Sequence, residues 1–315
     1  MTALGVVGAV VQPLLVVAGS PLLVGMTRQV RARLEGRVGA GVGQPWRDLR
    51  KLLGKERIAP RGTSEVFRFA PLVLFATVAV VAAAAPLVAV ESGVEPLDDL
   101  FTVVALLTAG AVALALAGLD TGTAFGGMGA SRELTILALV EPTLLVAVFA
   151  LSVGVGSTDL GSIVAAALHD PVRVITPASL LAAVALVIVV VAETGRLPVD
   201  NPATHLELTM VHEAMVLEYA GPDLALVELA SAMRLSVLLA LLANLFVPWG
   251  IATTLTPLAM VLGVAAIVAK VALIGVALAA VEVFLAKLRL FRVPELLAGS
   301  FVLALLAVAS SYLLA

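Results

Sequence analysis

Apolar runs recur along the chain at roughly 4–26, 70–90, 98–119, 134–155, 174–192, 224–247, 257–286 and 295–314, with short polar stretches between them. Each approaches the ~20 residues that a helix needs to cross the hydrocarbon of a bilayer. The runs are continuously apolar and rich in Ala, Leu and Val, without the ten-residue alternation of barrel strands, so they predict helices. The fold expected is an all-α polytopic membrane protein with about eight transmembrane helices. The first run contains Pro13 and Pro21 and lacks the basic start of a cleaved signal peptide, so it is read as a retained helix.

Charge sets the expected orientation. Arg28, Arg31, Arg33, Arg37, Arg47, Arg50, Lys51, Lys55, Arg57, Arg61 and Arg68 all fall between the first two runs, and Arg132, Arg196, Lys287, Arg289 and Arg292 lie in the alternate connections. Of the 19 Lys and Arg, only Arg173, Arg234 and Lys270 lie elsewhere. Positive residues mark the cytoplasmic side. The expectation is therefore cytoplasmic loops at 27–69, 120–133, 193–223 and 287–294, an outer N-terminus and a cytoplasmic large basic loop. No linker or internal repeat is evident, so residues 1–315 are expected to form a single membrane domain, multi-pass in the cell membrane. Within the basic loop, Trp46, Leu49, Leu52 and Leu53 share a helical face while Arg47, Arg50 and Lys51 lie elsewhere, the pattern of a short helix at the membrane surface.

Composition narrows the chemistry. The chain is 61% hydrophobic and 13% charged, with a mean hydropathy of +1.14. It has no cysteine, hence no disulfide and no thiolate-ligated iron–sulfur cluster of its own, and its three histidines leave little scope for haem or zinc. No metal site is expected. The segment from Thr121 to Glu133 is glycine-rich but lacks the Gly-Lys-Ser/Thr ending of a phosphate loop, so it reads as a tight or mobile turn. Outer connections near 91–99 (Glu91, Glu95, Asp98, Asp99) and 156–173 (Asp159, His169, Asp170, Arg173) show no recognisable site.

The densest polar stretch is Ala192–Tyr219. The Leu197-Pro198 and Asn201-Pro202 steps argue against a continuous helix at its start, and Asn201 is a fitting N-cap for a helix running from Pro202 to about Ala220. On such a helix Glu207 and Glu218 share one stripe, with His205 and His212 nearly opposite, and Gly221-Pro222 separates it from the next span. By depth along the predicted spans, Glu141, Glu228 and Glu282 fall in the inner half of the membrane, near Glu133, Glu193, Glu207 and Glu218 at the interface. Arg234 and Lys270 fall near mid-depth. Charges in hydrocarbon are costly, so these groups are expected to face a polar interior, where they pair with one another or exchange protons. The arrangement is an inward-opening carboxylate funnel rather than a complete transmembrane path. Structural ion pairing, such as Lys270 with a carboxylate of another helix, is the plain alternative.

Several motifs resemble the membrane subunit 1 (H subunit) family of respiratory complex I and its relatives in formate hydrogenlyase and membrane-bound group 4 nickel–iron hydrogenases. They are Leu34-Glu35-Gly36-Arg37, the stretch Gln44–Leu53, Gly127–Glu133 and the segment from Ala192 to Tyr219. Complex I members typically read Glu-Thr-Asn-Arg-Ala-Pro-Phe-Asp where this chain has Glu193-Thr194-Gly195-Arg196-Leu197-Pro198-Val199-Asp200. The continuation through Thr204-His205-Leu206-Glu207 and His212-Glu213 is similar to the formate hydrogenlyase type. Gly39-Ala40 replaces the family's usual Gly-Pro.

The resemblance implies an eight-helix, non-catalytic membrane subunit with no redox centre of its own. It would dock a peripheral redox arm and couple its chemistry to proton or sodium movement. By motif match the proton-handling residues are Glu133, Glu193, Asp200, Glu207, Glu213 and Glu218, with Arg196 as charge partner; depth adds Glu141, Glu228, Lys270 and Glu282. Arg37, Trp46, Arg47, Arg50 and Lys51 are the expected docking residues. The nickel–iron centre and iron–sulfur clusters would sit in partners: hydrogenase-like large and small peripheral subunits and an iron–sulfur subunit, beside antiporter-like membrane subunits and lipid, with no nucleic acid. Two alternatives stand beside this reading: a complex I-type subunit lining a quinone cavity around Arg196, and a stand-alone ion transporter.

Overall fold

The computed structural model describes residues 3–91, 94, 97–200 and 210–314. Eleven α-helices are found among them: α1 (Ala3–Leu34), α2 (Gln44–Leu53), α3 (Glu65–Ala84), α4 (Leu100–Asp120), α5 (Ala124–Ser152), α6 (Leu160–His169), α7 (Pro177–Glu193), α8 (His212–Val216), α9 (Gly221–Phe246), α10 (Pro257–Phe284) and α11 (Val293–Leu314). Seven are long and apolar enough to cross a membrane: α1, α3, α4, α5, α9, α10 and α11. The remaining predicted span is α7, only 17 residues long, or about 25 Å at 1.5 Å per residue. The protein is a multi-pass membrane protein of α-helices, as its sequence predicts.

Helix starts follow local capping chemistry. Ser64, Asp99, Thr123, Asp159, Thr176 and Thr256 each accept a backbone N–H of the first turn of α3, α4, α5, α6, α7 and α10. These side chains satisfy donors that a helix leaves unpaired, and Pro177 and Pro257 occupy early positions where no donor is needed. Pro86 explains the end of α3, short of the predicted 90. The residue before a proline is driven from the helical region, and Ala85 is extended at φ −63°, ψ 146°. Residues beyond it bridge from Ala89 to Ala252.

Connections alternate between two sides. The side that carries Leu34–Glu65 is called the basic side below. One buried apolar cluster draws on α1, α3, α4, α5, α6, α7, α9, α10 and α11.

Four expectations need correction. The basic loop does not begin at Thr27, because α1 continues to Leu34 and carries Arg28, Arg31 and Arg33 on helix. The glycine-rich segment is no turn. Only residues 121–123 connect α4 to α5, and Gly126, Gly127 and Gly129 lie in α5, where a Cβ on Gly126 would collide with the Gly118 carbonyl of α4. Glycine serves close helix approach there rather than chain reversal. The far-side stretch 156–173 contains α6 and a 3-10 turn at Pro171–Ile175. The helix expected from Pro202 to Ala220 is described only as α8, His212–Val216; Leu217 to Ala220 are not helical, and residues 201–209, with the cap Asn201, lie outside the described residues.

This last difference positions the site. α7 is short, and the chain after it turns back into the protein: Leu197, Val199, Asp200, Met210, Val211, Ala214, Met215, Val216 and Tyr219 are buried. α8 packs on α4 and α5, where Met215 lies against the Cα positions of Gly118 and Gly129. What reads as a surface loop is a plug between transmembrane helices.

Candidate functional site

The plug begins with a tight turn. Gly195, at φ 57°, reverses the chain after α7, and the N–H groups of Val199 and Asp200 return to the Arg196 carbonyl at 2.9 and 3.1 Å. The turn points Arg196 at α10, where its Nη1 lies 3.1 Å from Glu282 Oε1; Arg31 of α1 approaches the other oxygen at 3.9 Å. Next to it, Lys287 Nζ contacts Asp200 Oδ1 at 2.7 Å and the Leu288 N–H donates to the Pro198 carbonyl at 2.9 Å. These contacts tie the plug to the end of α10. The carboxylates of Glu282 and Asp200 are each only 5% exposed, so their charges need these cations.

Deeper, the last residue of α7, Glu193, forms an ion pair with Arg234 of α9, the two side chains being 3% and 9% exposed. Glu133 and Glu141 of α5 lie near enough for their charges to act on Arg234. One cation thus faces three carboxylates. Around Glu133, Glu193 and Arg234 is a smaller, narrower pocket of about 80 Å³, lined also by Asp200, His212 and Glu213 together with apolar residues of α3 and α4. That is room for several water molecules with polar partners.

A second cavity, of about 680 Å³, opens toward the basic side between α1, α2, α9 and the plug. Its wall carries Arg28, Arg31, Arg37 and Arg196 against Asp48, Glu213, Glu228 and Glu282, with Leu49 and Leu52 of α2 adding apolar surface. Trp46 anchors α2 on α1, its indole N–H donating to the Ala18 carbonyl at 3.1 Å. Arg57 beyond α2 reaches Asp223 at 2.5 Å, and this hydrogen bond raises the arginine's pKa further.

The sequence candidates therefore divide. Glu133, Glu193, Asp200 and Glu213 line the smaller pocket; Arg196, Glu213, Glu228 and Glu282 line the open cavity; Glu141 lies two turns beyond Glu133 on α5, within reach of Arg234. Glu218 is not with them, being exposed in the turn after α8. Glu207 lies outside the described residues. Lys270 is also apart: its Nζ donates to Asn244 Oδ1 at 3.0 Å, whose amide in turn holds the Pro86 and Leu87 carbonyls at 2.8 Å, near the opposite side from the basic loop. Among the described residues it has no carboxylate partner. Of the surface candidates, Arg37, Arg47, Arg50 and Lys51 are exposed and Trp46 is half-buried, whereas Leu53 of the predicted apolar face is 59% exposed.

Sequence reasoning gave no site role to Ser231 or Lys287, and placed His212 and Arg234 only by helix face and by depth. The signal for Arg234 was its mid-span depth, which demands a carboxylate. His212 was placed opposite the glutamates on a helix from Pro202 to Ala220, of which only α8 is described.

The family model described as NADH dehydrogenase matches residues 6–312. Formate hydrogenlyase subunit 4 of Escherichia coli (strain K12) is 34% identical over 300 residues, covering 95% of this chain and 96% of that protein. Hydrogenase-4 component C of the same organism is 34% identical over 305 residues, covering 96% and 94%. A chain of the membrane-bound sulfane sulfur reductase, an archaeal respiratory membrane complex, superposes with a TM-score of 0.81 over 98% of this chain and 99% of that one; at 20% identity the likeness is one of fold.

Proposed function

The chain belongs to the NADH dehydrogenase family, and we propose that it is the membrane subunit of a formate hydrogenlyase-like or group 4 nickel–iron hydrogenase complex in the cell membrane, coupling redox chemistry to proton movement. Full-length similarity to formate hydrogenlyase subunit 4 and hydrogenase-4 component C supports the kind of complex. The observation that carries the coupling role is the smaller pocket in which Glu133, Glu193 and Asp200 gather around Arg234 and His212, beside a cavity opening to the basic side. Clustered buried carboxylates sharing too few cations hold protons readily, and one proton gained or lost redistributes the ion pairs of all. The whole chain acts as one membrane unit, its basic side cytoplasmic and its N-terminus outside. Arg37, Arg47, Arg50 and Lys51 around α2 present the surface for a peripheral arm whose subunits would hold the nickel–iron and iron–sulfur centres.

Purification from membranes under mild detergent tests this. A nickel-containing large subunit should co-purify, and proton translocation by the reconstituted complex should fall in Glu193→Gln and Asp200→Asn with assembly intact. A co-purifying complex without nickel, or full translocation in both variants, would overturn the reading.

A second reading rests on the open cavity, whose 680 Å³ lies in the range of small-molecule sites and which joins apolar surface to Arg196. A quinone headgroup and its tail are of that size and character. Quinone-dependent activity lost in Arg196→Ala would establish it, and indifference of the complex to quinones and quinone-site inhibitors would remove it.

A further inference from the structure

The two cavities are separated by a thin wall, since Thr194, His212, Glu213 and Ser231 line both. The open cavity and the smaller acidic pocket meet at these side chains. The Thr194 hydroxyl donates to the Val190 carbonyl at 2.6 Å, which closes its helix and occupies its only proton. Ser231 Oγ of α9 lies 3.4 Å from His212 Nε2. His212 is the first residue of α8, half-buried, and lines the acidic pocket together with Glu133.

We propose that His212, supported by Ser231, is the proton relay between the two cavities. This rests on the coupling role set out above and names the group through which the acidic pocket is filled and emptied. An imidazole can bind a proton at one ring nitrogen and release another from the second, and only histidine does so with an unperturbed midpoint near neutral pH. In the relay, a hydronium reaching the open cavity gives its proton to one ring nitrogen, leaving water and producing an imidazolium. The N–H of the other nitrogen then gives its proton to a carboxylate of the smaller pocket, directly or through one of its waters, and leaves a neutral imidazole. No electron moves and no bond between heavy atoms forms or breaks. Before the next proton, the ring returns to its starting tautomer by exchange with water or by rotation. The Ser231 hydroxyl, able to donate or accept, suits both protonation states of Nε2.

The position also explains the use of a histidine beside Glu213, the one carboxylate among the four shared side chains. Glu133 and Glu193 both lie in the field of Arg234, so a proton passed between them stays in the pocket. A group that is neutral after delivery leaves that balance unchanged.

The experiment uses the assembled complex reconstituted in liposomes, with proton translocation per hydrogen turned over as the readout and co-purification of all subunits as the check on assembly. His212→Gln keeps a hydrogen-bonding group for Ser231 but cannot carry a proton, and should lower translocation at least tenfold. His212→Ala should do the same, and millimolar imidazole, which can enter through the open cavity into the space left, should restore a large part. Translocation at the unaltered level in His212→Gln, or loss in His212→Ala that imidazole leaves unrepaired, would overturn the relay. Glu193→Gln run in parallel separates the two levels. Loss in Glu193→Gln with none in His212→Gln removes the relay alone, whereas full translocation in both removes the coupling reading itself.

Discussion

Replacing Arg234 by methionine should be the most damaging single change in the interior. The guanidinium is 9% exposed, pairs with the 3% exposed carboxylate of Glu193, and feels the charges of Glu133 and Glu141. Removing one partner of a buried ion pair typically costs about 3–5 kcal/mol, because the other charge is left in low dielectric. The protein can limit that cost by protonating the orphaned carboxylate. At about 1.4 kcal/mol per pH unit above an ordinary glutamate value near 4.3, this costs roughly 3.7 kcal/mol at pH 7 and about 1 kcal/mol at pH 5. Arg234→Met should therefore be strongly destabilised at pH 7 and largely recovered at pH 5. Glu193→Gln should cost far less, on the order of 1 kcal/mol, because Arg234 keeps Glu133 and Glu141. Thermal unfolding of the purified protein in detergent, scanned at pH 5, 6 and 7 for both single variants and the double variant, measures these terms. Two results would refute the reasoning: an Arg234→Met deficit that does not shrink toward pH 5, or a Glu193→Gln deficit as large as that of Arg234→Met.

Three further outcomes follow from local geometry. Burial, and then the negative charge of Asp159, push the Asp98 carboxyl up to about 8 from its ordinary value near 3.8; the folded state thus holds a proton that the unfolded chain releases, and stability should fall as pH rises from about 4 to about 8. Asp98→Asn, scanned by thermal unfolding between pH 6 and 8, should flatten that slope and raise the midpoint at pH 8. Gly127→Ala, with nothing near its would-be Cβ, should gain up to about 1 kcal/mol of helix propensity, whereas Gly126→Ala next door should lose stability against the Gly118 carbonyl, a sign difference readable from paired melting curves. Tyr219 donates its hydroxyl to the Phe67 carbonyl at 2.8 Å while stacking on the Phe67 ring with centroids 4.1 Å apart. Tyr219→Phe should cost about 1 kcal/mol and Tyr219→Ala considerably more, both measured as shifts in thermal midpoint.

The membrane helices were legible in the sequence because their cause is local. A run of some twenty apolar residues partitions into hydrocarbon whatever its neighbours do, and Asp99 and Thr256 close the first turns of α4 and α10; so the limits of α4, α9, α10 and α11 lie within a few residues of the apolar runs. The conspicuous charges were legible too, for an arginine or glutamate within a span announces that it has a partner. Which partner it has depends on contacts between residues far apart in the chain. Arg234 with Glu193, Arg196 with Glu282 and Lys287 with Asp200 join segments separated by 41 to 87 positions, and no periodicity within one helix encodes them.

The glycine-rich segment shows the same limit from the other direction. Its composition suits a turn, but packing against Gly118 and Met215 draws Gly126 and Gly129 into α5, because the close approach gained there outweighs a weak local preference. By itself the sequence determined that this is a helical membrane protein with its charge gathered on one side and its carboxylates near Ala192–Tyr219. Only the tertiary structure decided that this segment turns inward behind a short α7, that Glu218 and Lys270 stand apart from the acidic pocket, and that His212 lies in the wall between two cavities. The reason is physical: partition into a bilayer is a property of each segment alone, whereas a pocket exists only where several segments fail to fill the space between them.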